Sequence, residues 1–251
     1  MKTMYRLVVM MLAAVVILAL SAPVFASKMD SRIESTAKKT YVFKTVLKSD
    51  DVKIKSVEGV VSLTGTVSEE SHKSLAQETV ASLPGVKSVD NKLEIKGETP
   101  TENSDAWITA KVKTIFLFHR NVSAMTEVST QGGIVTLRGK ATNQAQKDLS
   151  TEYAKDVNGV KDVNNEMIVA KIMKQKQTVG QKIDDASITA LVKLTLLYHR
   201  STSAINTSVT TKQGVVTLEG KASNAAAKDL AAKYANDVNG VKSVNNQMTI
   251  E

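Results

Sequence analysis

The sequence predicts an α+β fold built from three tandem small modules, each with the element order helix-strand-strand-helix-strand. Two short phrases support this prediction. The first, Gly-Val/Ile-Val-Ser/Thr-Leu-X-Gly, occurs three times, and the second, Gly-Val-Lys-X-Val-X-Asn, always begins 26 residues after it. The paired phrases begin at Gly59 and Gly85, at Gly133 and Gly159, and at Gly214 and Gly240. Fixed spacing that recurs along a chain indicates tandem copies of one module.

Each module is predicted to begin with an amphipathic helix. Apolar residues follow an aspartate at four-residue spacing, which places them on one face of a helix. Aspartate also favours the N-cap position, because its carboxylate accepts from the free amides of the first turn. We therefore expect Asp30, Asp105 and Asp185 to cap these helices. The apolar residues are Ile33 and Ala37, then Ile108, Val112 and Phe116, then Ile188, Val192 and Leu196.

Two strands and a second helix are expected next, followed by a third strand. A hairpin is predicted where glycines separate two alternating segments, because glycine supplies positive φ without strain. Ser68, Thr142 and Ser223 are predicted to cap the second helices, and Gly85, Gly159 and Gly240 to end them. Two helices packed on one face of the three-stranded sheet would bury the apolar side of each element.

Residues 1–26 are predicted to be a secretory signal peptide cleaved after Ala26. Lys2 and Arg6 give a positive start, an apolar run follows, and Val24-Phe25-Ala26 has small residues at both ends of the motif. The chain contains no cysteine, which rules out a lipid-modified cysteine at the amino terminus, disulfides and thiolate chemistry. We therefore expect a periplasmic protein that is not a lipoprotein. The predicted division is 27–98, 99–172 and 184–251 for the modules, with a basic linker at 173–183.

Charge and motifs argue against nucleic-acid binding and against catalysis. The net charge is +8, but each module is nearly neutral, and part of the excess lies in the linker at Lys174, Lys176 and Lys182. A nucleic-acid domain usually concentrates basic residues on one face. No nucleophile elbow, phosphate loop or metal-ligand spacing is present in the sequence. We accordingly predict no enzyme activity, cofactor, metal or small-molecule substrate.

The histidines are expected to be structural. His119 and His199 occupy equivalent places at the end of a first helix, each followed by arginine, where positive charge suits the negative end of a helix dipole. His72 has no counterpart in the other modules and is expected on the surface.

The candidate functional residues form a second stripe on the first helices of modules two and three. Aromatic and basic residues alternate there, which is typical of contact with a lipid headgroup layer. Packing between modules and ordinary burial are the alternatives. The candidates are Trp107, Lys111, Phe118 and Arg120 in module two, Leu191, Leu194, Tyr198 and Arg200 in module three, and Lys174 and Lys176 in the linker.

Three segments together resemble the BON domain, the bacterial OsmY and nodulation module. They are the glycine-flanked Val-Val-Thr-Leu-Glu at 214–220, Val-Asn-Gly-Val-Lys-Ser-Val-Asn-Asn at 238–246 and Asp-Ala-Ser-Ile-Thr at 185–189. All three modules fit, with the loosest match at the end of the first helix of module one. The resemblance implies a non-enzymatic envelope protein of the osmotic-stress type that binds anionic phospholipid membranes. The alternative is a chaperone-like module that binds an envelope protein client.

Overall fold

A computed structural model of the chain describes residues 23–122, 126–170, 182–203 and 206–251, and it has the predicted α+β architecture. Most of the expected signal peptide, residues 1–22, lies outside the described residues. The helices are α1 (Pro23–Lys39), α2 (Tyr41–Lys44), α3 (Glu70–Ala81), α4 (Asp105–Phe118), α5 (Gln144–Lys155), α6 (Asp185–Tyr198) and α7 (Ala225–Asp237). The strands are β1 (Asp51–Val57), β2 (Val60–Val67), β3 (Ser88–Ile95), β4 (Glu127–Gln131), β5 (Ile134–Arg138), β6 (Lys140–Ala141), β7 (Asp162–Asn165), β8 (Ile168–Val169), β9 (Asn206–Lys212), β10 (Val215–Ala222), β11 (Ser243–Asn246) and β12 (Thr249–Ile250).

The glycine-bounded phrase forms the central strand of each sheet. In module one, β2 is antiparallel to β1 across a hairpin and parallel to β3 on its other side. The same arrangement holds for β5 between β4 and β7, and for β10 between β9 and β11. Alternate residues of the central strand face the helices, and Val61 and Leu63 of β2 are fully buried. The predicted hairpins and the parallel third strand are thus both present.

A backbone corner explains the spacing of 26 residues between the two phrases. The first glycine of the first phrase has φ near +80° in all three modules, and a Cβ there would lie 2.6 Å from the Gly85 carbonyl oxygen in module one. The Gly59 carbonyl in turn accepts from the Lys87 amide at 2.8 Å. Both phrases therefore meet at one corner of each module, where a side chain at Gly59 would clash with backbone.

The aspartates predicted as helix caps instead bind the hairpins. The N-cap of α4 is Ser104 and that of α6 is Asp184, whereas Asp30 lies well inside α1. The Asp105 carboxylate accepts from the amides of Gly132 and Gly133, and Asp30 and Asp185 make the equivalent bonds. The prediction was wrong by one position in modules two and three and by more in module one, because these carboxylates accept from the amides of the hairpin turn and not from those of their own helix.

The predicted boundaries of the second helices also shift. The N-cap residues are Glu69, Asn143 and Asn224, one position after the serines and threonine predicted for them, and Asn143 and Asn224 accept from the amide three residues on. Gly85, Gly159 and Gly240 have positive φ, as expected, but lie three or four residues beyond the last helical residue. They form the turn into the third strand rather than the helix end itself.

The last asparagine of the second phrase ties the third strand to the second helix. The Asn165 amide donates to the Lys147 carbonyl and the Thr151 hydroxyl of α5, and its oxygen accepts from the Met167 amide. Asn91 and Asn246 make corresponding bonds. The single third strand predicted for each module is continuous only in module one, because β7 and β11 end at this asparagine and pairing resumes three residues later, at Ile168 and Thr249.

Among the described residues, no helix combines the length and apolar character needed to cross a bilayer.

Candidate functional site

The predicted lipid-contact residues on the first helix of module two are buried or half-buried. Phe118 is 2% exposed, and Trp107 and Lys111 are half-buried. The Lys111 ammonium lies 3.4 Å from the centre of the Tyr198 ring of module three and 5.1 Å from that of Trp107. A cation over an aromatic face is attracted by the ring quadrupole. The predicted stripes of modules two and three therefore contact each other, through Lys111 and Tyr198.

The three apolar residues of the predicted stripe on module three are fully covered by module one. Leu191, Leu194 and Tyr198 are each at most 5% exposed, because α3 of module one packs against α6. Lys193 forms an ion pair with Glu78 across this junction at 2.8 Å. The Tyr41 and Val42 amides of α2 donate to Asp184 and Ser187 at the start of α6. In this arrangement the three apolar side chains are not available to a lipid surface.

A cleft of about 540 Å³ remains where the modules meet, and its rim is acidic. Trp107, Lys111 and Tyr198 form its floor, and Glu69, Glu70, Glu98 and Glu102 surround it. Burial lowers the pKa of Lys111 to about 8, although the nearby glutamates oppose that shift. Four carboxylates around one amine disfavour an anionic headgroup at Trp107.

Both arginines of the predicted site bond to the neighbouring module. The Arg120 guanidinium donates to the carbonyls of Asn236, Val238 and Val241 at 2.6 to 2.8 Å, and its amide donates to the Asp237 carbonyl. Arg200 reciprocates by donating to the Lys155 carbonyl of module two. Free carbonyls at a helix end favour cations, so each arginine caps the second helix of the other module. The prediction had assigned this role to the helix preceding each arginine.

The histidines before these arginines belong to a reciprocal buried network. His119 of module two lies 3.2 Å from the Asp237 carboxylate of module three, and His199 of module three lies 3.3 Å from Asp156 of module two. The Tyr153 hydroxyl donates to Asp237 at 2.8 Å, and the Tyr234 hydroxyl donates to Asp156 at 2.7 Å. Each aspartate therefore accepts from a tyrosine of the other module, and the two halves are related by an approximate twofold rotation.

Ring stacking and backbone pairing complete this junction. His199 stacks on Tyr234 with centroids 3.9 Å apart, and His119 lies 4.4 Å from Tyr153. His119 pairs with Val238 in an antiparallel bridge, and His199 pairs with Val157 in the matching bridge. We call this cluster, formed by His119, Tyr153, Asp156, His199, Tyr234 and Asp237, the histidine junction.

The charges in the histidine junction follow from burial and hydrogen bonding. Burial raises the pKa of Asp156, but contacts with His199, Ser201 and Tyr234 outweigh it and hold that pKa below its usual value. Burial lowers the pKa of His199, with the His119 charge acting in the same direction. Burial and the nearby carboxylates raise the pKa values of Tyr153 and Tyr234. The junction thus holds an ionised Asp156, neutral tyrosines and a neutral His199 at pH 7.

The remaining histidine is less exposed than expected. His72 was predicted on the surface, but its side chain is 13% exposed and its Nδ1 lies 2.6 Å from Asp50. Among the described residues, no three or more histidine, aspartate or glutamate side chains lie together in a way that could hold a metal ion. Lys174 and Lys176 lie outside the described residues.

Module packing leaves a different stripe exposed on the first helices. Leu117 is 47% exposed and follows the exposed Lys113 by four residues, with Arg120 three residues further on. Leu197 is 54% exposed and has the same flanking pattern, with Lys193 and Arg200. Lys113 and Leu117 share one helix face, as do Lys193 and Leu197, because the members of each pair are four residues apart, and each arginine lies just beyond the helix end. We call these sets the leucine stripes.

Comparison with known proteins agrees with the repeated architecture. The BON domain matches the chain three times, over residues 29–97, 104–171 and 184–251. The chain belongs to the BON domain family. This match confirms the three copies predicted from the paired phrases.

Two named relatives and one solved structure accompany the BON match. Osmotically-inducible protein Y of Escherichia coli is 34% identical over 145 residues, which cover 57% of this chain and 71% of that protein. Outer membrane lipoprotein DolP of Haemophilus influenzae is 31% identical over 160 residues, covering 64% and 74%. The solved structure of CdsD, a structural protein of the Type III secretion system of Chlamydia trachomatis, is 18% identical, covers 83% of this chain and 90% of that one, and has a TM-score of 0.24.

The BON repeats differ in how they pair. Modules two and three both have the His-Arg and Tyr-X-X-Asp residues of the junction, whereas module one has Lys44-Thr45, Thr79 and Ser82 at the equivalent positions. Only the second and third modules therefore carry the junction residues, and module one attaches through α2 and α3 instead. This difference between copies was the sequence signal for the junction.

Proposed function

We propose that this BON protein is a non-enzymatic protein of the bacterial periplasm that docks peripherally on anionic phospholipid and supports the envelope under osmotic stress. Its relatives are named as an osmotically-inducible protein and as an outer membrane lipoprotein, which supports both the stress and the envelope parts of the proposal. Export through a signal peptide cleaved after Ala26 would deliver it there.

The exposed leucine stripes are the observation that carries the lipid proposal. Leu117 and Leu197 each precede a junction histidine by two residues, so both stripes flank the contact between modules two and three. A leucine between basic residues suits the headgroup boundary, because the apolar side chain enters it while the cations stay near anionic lipid. Lys113 of module two is exposed, whereas Lys193 is already paired with Glu78. We therefore assign the stronger contact to module two.

The predicted lipid contacts take different parts in this proposal. Arg120 and Arg200 are exposed beside the leucine stripes but have a secondary part, because their guanidinium groups already donate to carbonyls of the opposite module. Lys174 and Lys176 would add long-range attraction to an anionic surface. Trp107 and Lys111 are assigned a smaller part because of the acidic rim around them. Phe118, Leu191, Leu194 and Tyr198 would contribute only if the modules separated.

Sedimentation with vesicles tests the proposal. Residues 27–251 should pellet with vesicles rich in phosphatidylglycerol, should not pellet with zwitterionic vesicles, and should be released as salt rises because screening weakens the attraction. The double change Leu117→Ser and Leu197→Ser should reduce the pelleted fraction by about tenfold, which corresponds to about 1.4 kcal/mol of binding free energy.

The matched control is Val57→Ser, which removes a 59% exposed apolar side chain from module one. It should leave pelleting unchanged. Equal pelleting of the double leucine variant and the wild type would contradict the proposed surface. If the wild type pelleted with neither vesicle, lipid docking would be abandoned in favour of the chaperone-like alternative, in which the same exposed leucines bind a protein client independently of salt.

A further inference from the structure

The two imidazoles of the histidine junction are buried side by side. Both side chains are 0% exposed, and the ring centroids of His119 and His199 lie 5.7 Å apart. Both Nε2 atoms are without a hydrogen-bond partner among the described residues, and the His199 Nδ1 contact with Asp156 falls outside hydrogen-bond geometry. An added proton on either ring would therefore lack a well-oriented acceptor at Nε2.

The charged and titratable groups around the rings come from both modules. Asp237 and Tyr153 face His119, and Asp156 and Tyr234 face His199. Tyr153 also lies 5.4 Å from His199, so it bridges the pair. Two cations, Arg120 and Arg200, directly follow the histidines in the sequence and bond to carbonyls of the opposite module.

These contacts disfavour a positive charge on His199. The attraction of the Asp156 carboxylate is outweighed by burial and by the repulsion that a charged His119 ring would exert from 5.7 Å, and neither nitrogen of His199 has a hydrogen-bond partner. Separation of the modules returns both rings to water, where an imidazole has a pKa near 6.5. We propose that the histidine junction is an acid-sensitive latch, which holds modules two and three together at neutral pH and releases them when the buried His199 imidazole becomes protonated.

The expected pH range follows from the direction of the shifts. The pKa of His199 is lowered in the docked form, so the open form binds the extra proton more readily. The stabilising effect of a neutral ring is fully present above about pH 6.5 and is lost as pH falls towards the lowered value. The pKa of Asp156 is lowered from 3.8, so its contribution persists to about pH 4. Opening should therefore begin between pH 6.5 and 4 through protonation of His199.

This latch is independent of lipid binding, because it concerns only contacts within the chain. Distances between spin labels on exposed residues of the two modules measure it directly. The chain has no cysteine, so Ala145→Cys on α5 and Ala226→Cys on α7 supply two unique and equivalent labelling sites. We expect one narrow distance distribution at pH 7.5 and a second, longer and broader one at pH 5. The docked-to-open ratio should fall tenfold per pH unit for each proton taken up on opening.

Histidine variants identify the group responsible. With His119→Gln and His199→Gln together, the distance distribution should no longer change between pH 7.5 and 5. The control His72→Gln changes the remaining histidine, which lies in module one, and should follow the wild type. Far-ultraviolet circular dichroism should show that helix content is retained on opening.

Two results would overturn the latch. One is a wild-type distribution that stays constant from pH 7.5 to 4.5, and the other is opening of the double glutamine variant over the same pH range as the wild type. If that variant failed to dock at pH 7.5, proton NMR titration of the wild type would decide the matter. A His199 pKa at or above 6.5 would then refute the proposal, and a value below it would support the proposal.

Discussion

Removal of the Asp237 carboxylate should destabilise module two although Asp237 belongs to module three. The Asp237→Ala change leaves two buried groups without their acceptor, the Tyr153 hydroxyl and the His119 ring, and it also releases Asn121. Each unsatisfied buried polar group costs about 1–3 kcal/mol. Since one partner of a buried pair is removed while the other stays, we expect a loss of about 3–5 kcal/mol in the free energy of unfolding.

Fluorescence of the single tryptophan provides the assay for this change. Trp107 lies in α4 of module two, so its thermal or urea transition reports on module two while the substitution lies in α7. For a chain of this size, the expected loss corresponds to a fall in Tm of roughly 6–20 °C.

The matched control is Asp229→Ala, which removes an exposed carboxylate from the same helix. It should change stability by no more than about 0.5 kcal/mol. The interpretation of the junction would be refuted if the Trp107 transition of Asp237→Ala stayed within about 1 kcal/mol of the wild type, or if Asp229→Ala shifted it equally.

Three further predictions concern other described residues. Tyr153→Phe and Tyr234→Phe should each lower the free energy of unfolding by about 1–2 kcal/mol in urea titrations, with similar values because the junction is symmetric, and clearly unequal losses would contradict that symmetry. Gly65→Ala should cost well over 2 kcal/mol, because its Cβ would lie 1.9 Å from the Asp51 carbonyl oxygen, whereas Gly97→Ala meets nothing within 4 Å and should cost about 1 kcal/mol for its positive φ alone. Lys111→Met should raise Tm most below pH 8 and less as pH rises towards 10.5, because the folded protein bears the cost of a half-buried ammonium only where the lysine is charged; a gain that is constant over this pH range would refute the lowered pKa.

The fold was readable from the sequence because its strongest constraints are local. Glycines that need positive φ and a close backbone approach occur at fixed spacing, and Gly59 and Gly85 meet at one corner. Helix starts were less predictable, because Asp105 and Ser104 are adjacent and both accept backbone amides. Which of the two caps the helix depends on where the amides of the hairpin turn lie, and their position is known only once the hairpin has folded.

The candidate site was less predictable than the fold. Leu191 and Phe118 have the spacing of a lipid-facing stripe, but an apolar stripe packed on another module has the same spacing. Periodicity indicates that a face is buried and does not identify what covers it. The exposed Leu117 was not predicted because it stands alone between basic residues, and single apolar residues are common on protein surfaces.

The reciprocal contacts of the histidine junction limit how further modules can be added to such a chain. When two copies pair through a self-complementary surface, that surface is buried on both of them, so no further copy can bind to it and the contact cannot extend into an open array. Within one chain, duplication of a module with this surface yields a pair. A third copy joins only through a different surface, as module one does where Glu78 meets Lys193. The chain is therefore a closed pair with an appended module and not an extendable solenoid.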